Sequence, residues 1–156
     1  MTDWANATED DLLALVTSGE VESHYLDFKQ KDALVARTDA DKKRRCEELA
    51  KDVSAFAHAD GGTLIYGVVE AGNPVCAQAL KGFKGNAMTK ETVAQLVQAS
   101  PEPGVTGVKI REVQLKSQNP ASDPGSTVFV VCVPQADTVH QETNCLMFSI
   151  VPEGPN

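Results

Sequence analysis

Aromatic residues are scarce in this chain: one Trp, two Tyr and five Phe among 156 residues. So few rings leave little for a stacking platform that holds single strands. Basic residues are outnumbered, with 14 Lys and Arg against 22 Asp and Glu and a formal net charge of −8. That balance excludes a uniformly cationic surface that attracts polyanions everywhere. No apolar run approaches the roughly 18 residues of a membrane span, so no membrane partner is expected. The start, MTDWANATEDDLL, lacks the basic and apolar regions of a secretory signal. A soluble cytoplasmic protein is the expectation. Cys46, Cys76, Cys132 and Cys145 form no C-x-x-C pair and have no His at a zinc-ligand spacing. They read as free thiols in a reducing compartment. No G-x-S-x-G or Cys-His signature supports nucleophilic hydrolase chemistry.

What is present is an uneven distribution of charge. Residues 1–28 carry seven acids and no Lys or Arg, whereas residues 29–51 carry eight bases and five acids. Such a local basic patch reads equally as a docking surface or as one solvated helix face.

Periodicity supplies the elements. ATEDDLLALVTSGE predicts a short helix with Thr8 as N-cap, Asp11 completing a capping box and Gly19 as the stop. HYLDFK alternates, with Leu26 and Phe28 on one face and Asp27 and Lys29 on the other, and predicts a strand. QKDALVARTDAD is polar and reads as a loop or the lead-in to a helix. Between Asp41 and Asp60, Cys46, Leu49, Ala50, Val53, Phe56 and Ala57 recur at helical spacing. TLIYGVV predicts one continuous buried strand, EAGN a turn and PVCAQAL its hairpin partner. A helix is expected from Thr89 to Ser100, ended by Pro101. VTGVKIREVQL and STVFVVCVP predict two strands joined by the polar loop KSQNPASDPG, and LMFSIVP predicts a last strand. The expected fold is a single α/β (α+β) domain with a mixed, largely antiparallel sheet packed against a few helices. An N-terminal helical segment, 1–19, precedes the domain proper, 20–156.

The pair Gly61-Gly62 invites a phosphate-loop reading, but the order of elements opposes it. Phosphate loops run strand, glycines, helix, so that helix N–H groups face the anion. Here the helix comes first and presents carbonyls and the negative end of its dipole. The glycines read as a helix stop.

ESHYLDFKQK, the basic amphipathic helix, VSAFAHADGGTLIYGVVEAGN and VFVVCVPQADTVHQ together resemble the Schlafen-type Alba-like domain. The resemblance spans about residues 20–150. It implies a nucleic-acid-binding domain, for RNA or DNA, of a kind often fused to helix-turn-helix regions in transcriptional regulators and also labelled as a divergent ATPase domain. In the Schlafen branch a tandem pair forms an RNA endonuclease around three acids. By motif those acids fall at Glu22, Asp27 and Glu70, as catalytic groups and as ligands for Mg2+ or Mn2+. The chain departs from the family pattern in several places. Asp27 stands for the usual Glu, His58 for the usual Asn and Val69 for the first Asp. No Pro precedes His140, and neither a second domain copy nor a zinc-ligand cluster is present in the sequence.

Spacing constrains the acids. Glu22 and Asp27 are five apart, so on one continuous strand they face opposite sides. They converge only if Glu22 lies in the preceding loop or a bulge intervenes. The plain alternative for Asp27 is an exposed carboxylate paired with Lys29 or Lys31. Lys29 is a candidate contact for a scissile phosphate. With Lys31, Lys42, Lys43, Arg44 and Arg45 it makes up the candidate nucleic-acid-binding set. Four consecutive helical residues fan over about 300°, so Lys42 to Arg45 surround an arc and make no stripe. Glu47 and Glu48, one turn on, offer them partners. His58 sits where a helix end favours a cation, and His24 and His140 have no acid–nucleophile context. Three functions follow as expectations: nucleic-acid binding, with a homodimer lengthening the groove; metal-dependent endoribonuclease action on structured RNA such as tRNA; and non-catalytic docking of a protein partner through the acidic surface.

Overall fold

Thr8 opens the first helix as its side chain dictates. Its hydroxyl accepts from the Asp11 N–H, while the Asp11 carboxylate accepts from the Thr8 N–H. In the computed structural model, which describes residues 2–99 and 105–136, this helix is α1 (Glu9–Ser18), closed by Gly19 at φ 64°. It is followed by β1 (Leu26–Lys29), α2 (Asp39–His58), β2 (Gly62–Tyr66), β3 (Val68–Ala71), β4 (Cys76–Leu80), β5 (Phe83–Lys84), α3 (Lys90–Gln98), β6 (Lys109–Gln114) and β7 (Ser126–Val133). Short 3-10 turns at Trp4–Asn6 and Lys31–Leu34 precede α1 and α2.

The fold is the expected mixed α/β domain. β1 runs parallel to β2, β2 antiparallel to β7, and β6 antiparallel to β7 along its other edge. β5 pairs with Thr127 and Ser126, taking up the edge of β7 where β2 leaves it. β3 and β4 form a separate antiparallel pair. Alternate residues of the sheet feed two apolar layers. Phe28, Ile65, Val128 and Val130 pack with Leu12 and Leu15 of α1. Leu64, Tyr66, Phe129 and Val131 pack with Leu49 and Val53 of α2 and Val93 of α3.

The structure corrects the sequence reading at several points. TLIYGVV is two strands in two sheets, because Gly67 adopts φ 112° and turns the chain between β2 and β3. Periodicity could not show the break, since Tyr66 and Val68 on either side of it are both buried. α2 begins at Asp39, two residues before the expected start, because Thr38 caps it through the Asp41 N–H at 3.0 Å. Its first turn is polar, so no apolar spacing marks it. Leu34, inside the stretch read as polar, is fully buried. The two-residue β5 is too short to carry a pattern. LMFSIVP, His140, Cys145 and the Ser100–Pro101 helix end lie outside the described residues.

Gly61-Gly62 is the helix stop. The Gly61 N–H donates to the Phe56 carbonyl at 2.9 Å, and Gly61 has φ 84°. A Cβ at Gly61 would lie 2.8 Å from the Val133 carbonyl oxygen, and one at Gly62 would overlap the Phe56 ring. Gly61→Ala should therefore cost about 1–3 kcal/mol of stability through strain at positive φ. Urea denaturation measures this, and an unchanged midpoint would contradict the assignment.

Candidate functional site

β1 has a buried face and a functional face. Leu26 and Phe28 enter the α1 layer, so Asp27 and Lys29 must project towards α2. There Lys29 Nζ lies 3.4 Å from Asp27 Oδ2 and 3.5 Å from Asp52 Oδ2 of α2. Burial works against the Lys29 charge, but Asp52 and Asp27 outweigh it and raise the ammonium's pKa.

Glu22 reaches the same place from a loop. Ser23 and Leu26 exchange backbone hydrogen bonds, which folds the chain back just before β1. The Glu22 Oε2 accepts from the Phe28 N–H at 2.9 Å, and its carboxyl is within hydrogen-bonding reach of Asp27 and of Glu70. Glu70 arrives on β3, which lies against β1 and shifts register between Val69 and Glu70. Such a bulge re-aims a side chain. The structure thus brings Glu22, Asp27 and Glu70 together.

Their electrostatics follow from this crowding. Burial, a hydrogen bond to Asp27 and the negative charges of Asp27 and Glu70 push Glu22 up to about 7, against the pull of the Phe28 N–H. Burial and the Asp27 charge also raise Glu70, against the opposing pull of Lys29 and Glu22. Asp52 is raised mainly by burial, despite Lys29 beside it. The Tyr66 phenol beneath is raised by burial and by the Asp52 and Asp27 charges. Among the described residues no group of three or more His, Cys, Asp or Glu side chains is arranged to hold a metal ion.

On one side of Lys29 lies a cavity of about 450 Å³, between residues 32–37 and the first half of α2. Lys29, Arg37, Arg44 and Arg45 all line it. Arg44 is paired with Asp41, whereas Arg45 Nη1 donates to the Leu34 carbonyl at 3.2 Å. Lys42 and Lys43 are exposed on α2 outside the cavity, with Lys42 Nζ 4.0 Å from Asp39; the half-buried Lys31 does not line it either. On the other side of Asp27 and Asp52 is an acidic groove that also holds Glu22 and Asp60, with His24 and the exposed Tyr25 at its rim. His58 is exposed in the last turn of α2.

Sequence reasoning missed Asp52, Arg37 and Tyr25. Asp52 was legible in principle, since it stands three residues after Leu49 and four before Phe56, beside the apolar stripe of α2. Arg37 and Tyr25 sit in loops, where no period assigns a face.

The family model for Schlafen, AlbA_2 matches residues 22–150. The chain belongs to that family, which is nucleic-acid-related. No curated protein matches it. Among the described residues no helix is long and apolar enough to cross a membrane.

The Glu22 shift has a definite sign. A carboxyl whose folded pKa of about 7 exceeds its ordinary 4.5 stabilises the fold in its protonated form. That contribution is complete below about 4.5 and is lost as pH rises through about 7. Glu22→Gln, which keeps an acceptor for the Phe28 N–H, should match the parent at about pH 4, below the unfolded value of 4.5, and exceed its urea midpoint at about pH 8. A variant equally destabilised at both pH values would refute the crowding.

Proposed function

We propose that this chain is a nucleic-acid-binding domain whose phosphate contacts begin at Lys29 and extend over the first turns of α2. One observation carries the reading. Three separate segments bring Lys29, Arg37, Arg44 and Arg45 to one concavity, which Asp32, Asp41, Glu48 and Asp52 also line, on a chain of net charge −8. Lys29 and Arg44 are matched there by Asp52 and Asp41, whereas Arg37 and Arg45 form no ion pair among the described residues. Lys42 and Lys43 extend the same basic region over the exposed side of α2. A polyanion seated there trades the weak surface pairs of Lys42 and Arg44 for its own phosphates and releases condensed counterions.

Fluorescence anisotropy with tRNA, single-stranded DNA and duplex DNA at about 50 mM salt tests it. Binding should fall steeply with salt, and the double variant Lys42→Ala/Lys43→Ala should flatten the log–log slope by about 1–2. No salt-sensitive binding to any of the three would sink the proposal.

A second reading, endoribonuclease action, is favoured by the meeting of Glu22, Asp27 and Glu70 beside Lys29. A carboxyl with a pKa of about 7 is poised to give or take a proton near neutrality. Lys29, the adjacent cation, supplies a contact for a phosphate oxygen. The test is cleavage of a structured RNA with Mg2+, with Mn2+ and with EDTA. Cleavage that disappears in a folded Asp27→Asn variant supports this reading. Cleavage in none of the three conditions, or unchanged cleavage in the variant, removes it.

A further inference from the structure

The cavity beside Lys29 carries more than positive charge. Four carboxylates line it alongside the arginines: Asp41 and Asp52, paired with Arg44 and Lys29, and Asp32 and Glu48, both exposed and in no ion pair among the described residues. Carboxylates accept hydrogen bonds and repel phosphate, so a site for a bare anion would not include them. Val35 lines it as well and is 41% exposed, one of few large apolar side chains left in solvent among the described residues. With the buried Leu49 it gives the cavity an apolar wall.

Arg45 completes the set. Lys29 and Arg44 each have a carboxylate within 4.0 Å, whereas no ion pair forms at Arg45 among the described residues. Its Nη1 donates to the Leu34 carbonyl, and its Nε is closed off from solvent without a hydrogen-bond partner. A half-buried guanidinium without a counter-charge is costly. An anion engaging its terminal nitrogens from the cavity supplies what is missing.

We propose that this cavity holds one ribonucleotide unit, with Arg45 on the phosphate, Asp32 and Glu48 on the ribose hydroxyls, and Val35 and Leu49 against the base. Three chemistries meet in about 450 Å³, a volume within the usual range of small-ligand sites. A nucleotide presents those three chemistries together: an anion, vicinal hydroxyl donors and an apolar ring face. The inference rests on the nucleic-acid reading and narrows it to RNA, because the acceptors reward a 2′-hydroxyl.

The experiment is titration of the isotope-labelled full chain with 5′-AMP, 5′-dAMP and inorganic phosphate, followed by amide chemical shifts. AMP should shift residues 32–37 and 45–49 saturably, with dAMP at least about fivefold weaker and phosphate weaker still. Arg45→Met should abolish the AMP response. Glu48→Gln, at an exposed position that cannot disturb the core, should reduce the preference for AMP over dAMP. No saturable shift with AMP, equal affinity for phosphate and AMP, or an unchanged preference in Glu48→Gln would each overturn the proposal. The two levels separate cleanly. If tRNA binds with salt sensitivity while AMP does not, the pocket fails and the wider reading stands. If AMP binds while no nucleic acid does, the pocket stands and the wider reading fails.

Discussion

β7 is buried on both faces and hydrogen-bonded along both edges, and the rest of the architecture answers to that constraint. Val128 and Val130 need one apolar layer, and Phe129, Val131 and Val133 need another. That demand places α1 on one side of the sheet and α2 with α3 on the other. One edge of β7 is covered in two pieces, β2 and then β5. Between them the chain leaves the sheet at Gly67, forms the β3–β4 hairpin and returns at Gly82. The two glycine backbones nearly touch there. A Cβ at Gly67 would stand 3.1 Å from the Gly82 Cα, and one at Gly82 would overlap the Thr127 backbone. The Lys81 N–H closes the excursion on the Gly67 carbonyl at 2.7 Å. Glu70 rides on this excursion, so the position of a candidate functional acid depends on how tightly β7 is packed.

A comparison within the molecule sets the acid cluster apart from a carboxylate that only ties backbone together. Glu9 is a structural carboxylate. It accepts from the Lys116 and Ser117 N–H groups and from the Ser122 hydroxyl, at 3.0 Å to each of them. Burial works against its charge, yet these donors hold its pKa below the usual value. Glu22 has one N–H donor and two carboxylate neighbours, and its pKa moves the other way. Burial, the largest cause, together with the hydrogen bond and like charge of its neighbours, raises the Glu22 pKa and so costs stability at neutral pH. Replacing the acids by amides would relieve that cost.

How much was legible follows the range of the interactions. The Thr8 capping box, the Gly19 stop and the Gly61 stop are set by residues within a turn or two, and each was readable from local spacing. The inward face of β1 was readable too, because alternation over Leu26 to Lys29 is strict. The meeting of Glu22 with Glu70 was not. It needs β3 to lie against β1, a register shift at Val69/Glu70 and a chain reversal between Ser23 and Leu26, none of which leaves a periodic trace. Those acids came into view through family resemblance, and spacing alone left open whether Glu22 lay on the strand opposite Asp27 or in the loop before it. The break at Gly67 was hidden for a different reason. An apolar run is silent about whether it continues in the same sheet.

Lys29 stands on a boundary. Its ammonium lies between Asp27 and Asp52, and Asp52 lines both the basic cavity and the acidic groove beyond it. On the proposed reading a polyanion approaching from the cavity side meets arginines interleaved with Asp32, Asp41 and Glu48 before it reaches Lys29. Glu22, Asp27, Asp52 and Asp60 line the groove, and exposed charges interact mainly within about 10 Å at 0.1 M salt. Their repulsion therefore acts on the one or two phosphates that reach Lys29, while the rest of the strand feels the basic region. On that reading the groove's carboxylates would limit the length of nucleic acid tolerated beyond Lys29. The net charge of −8 would then suppress non-specific binding, and the cavity's unpaired arginines would set the register.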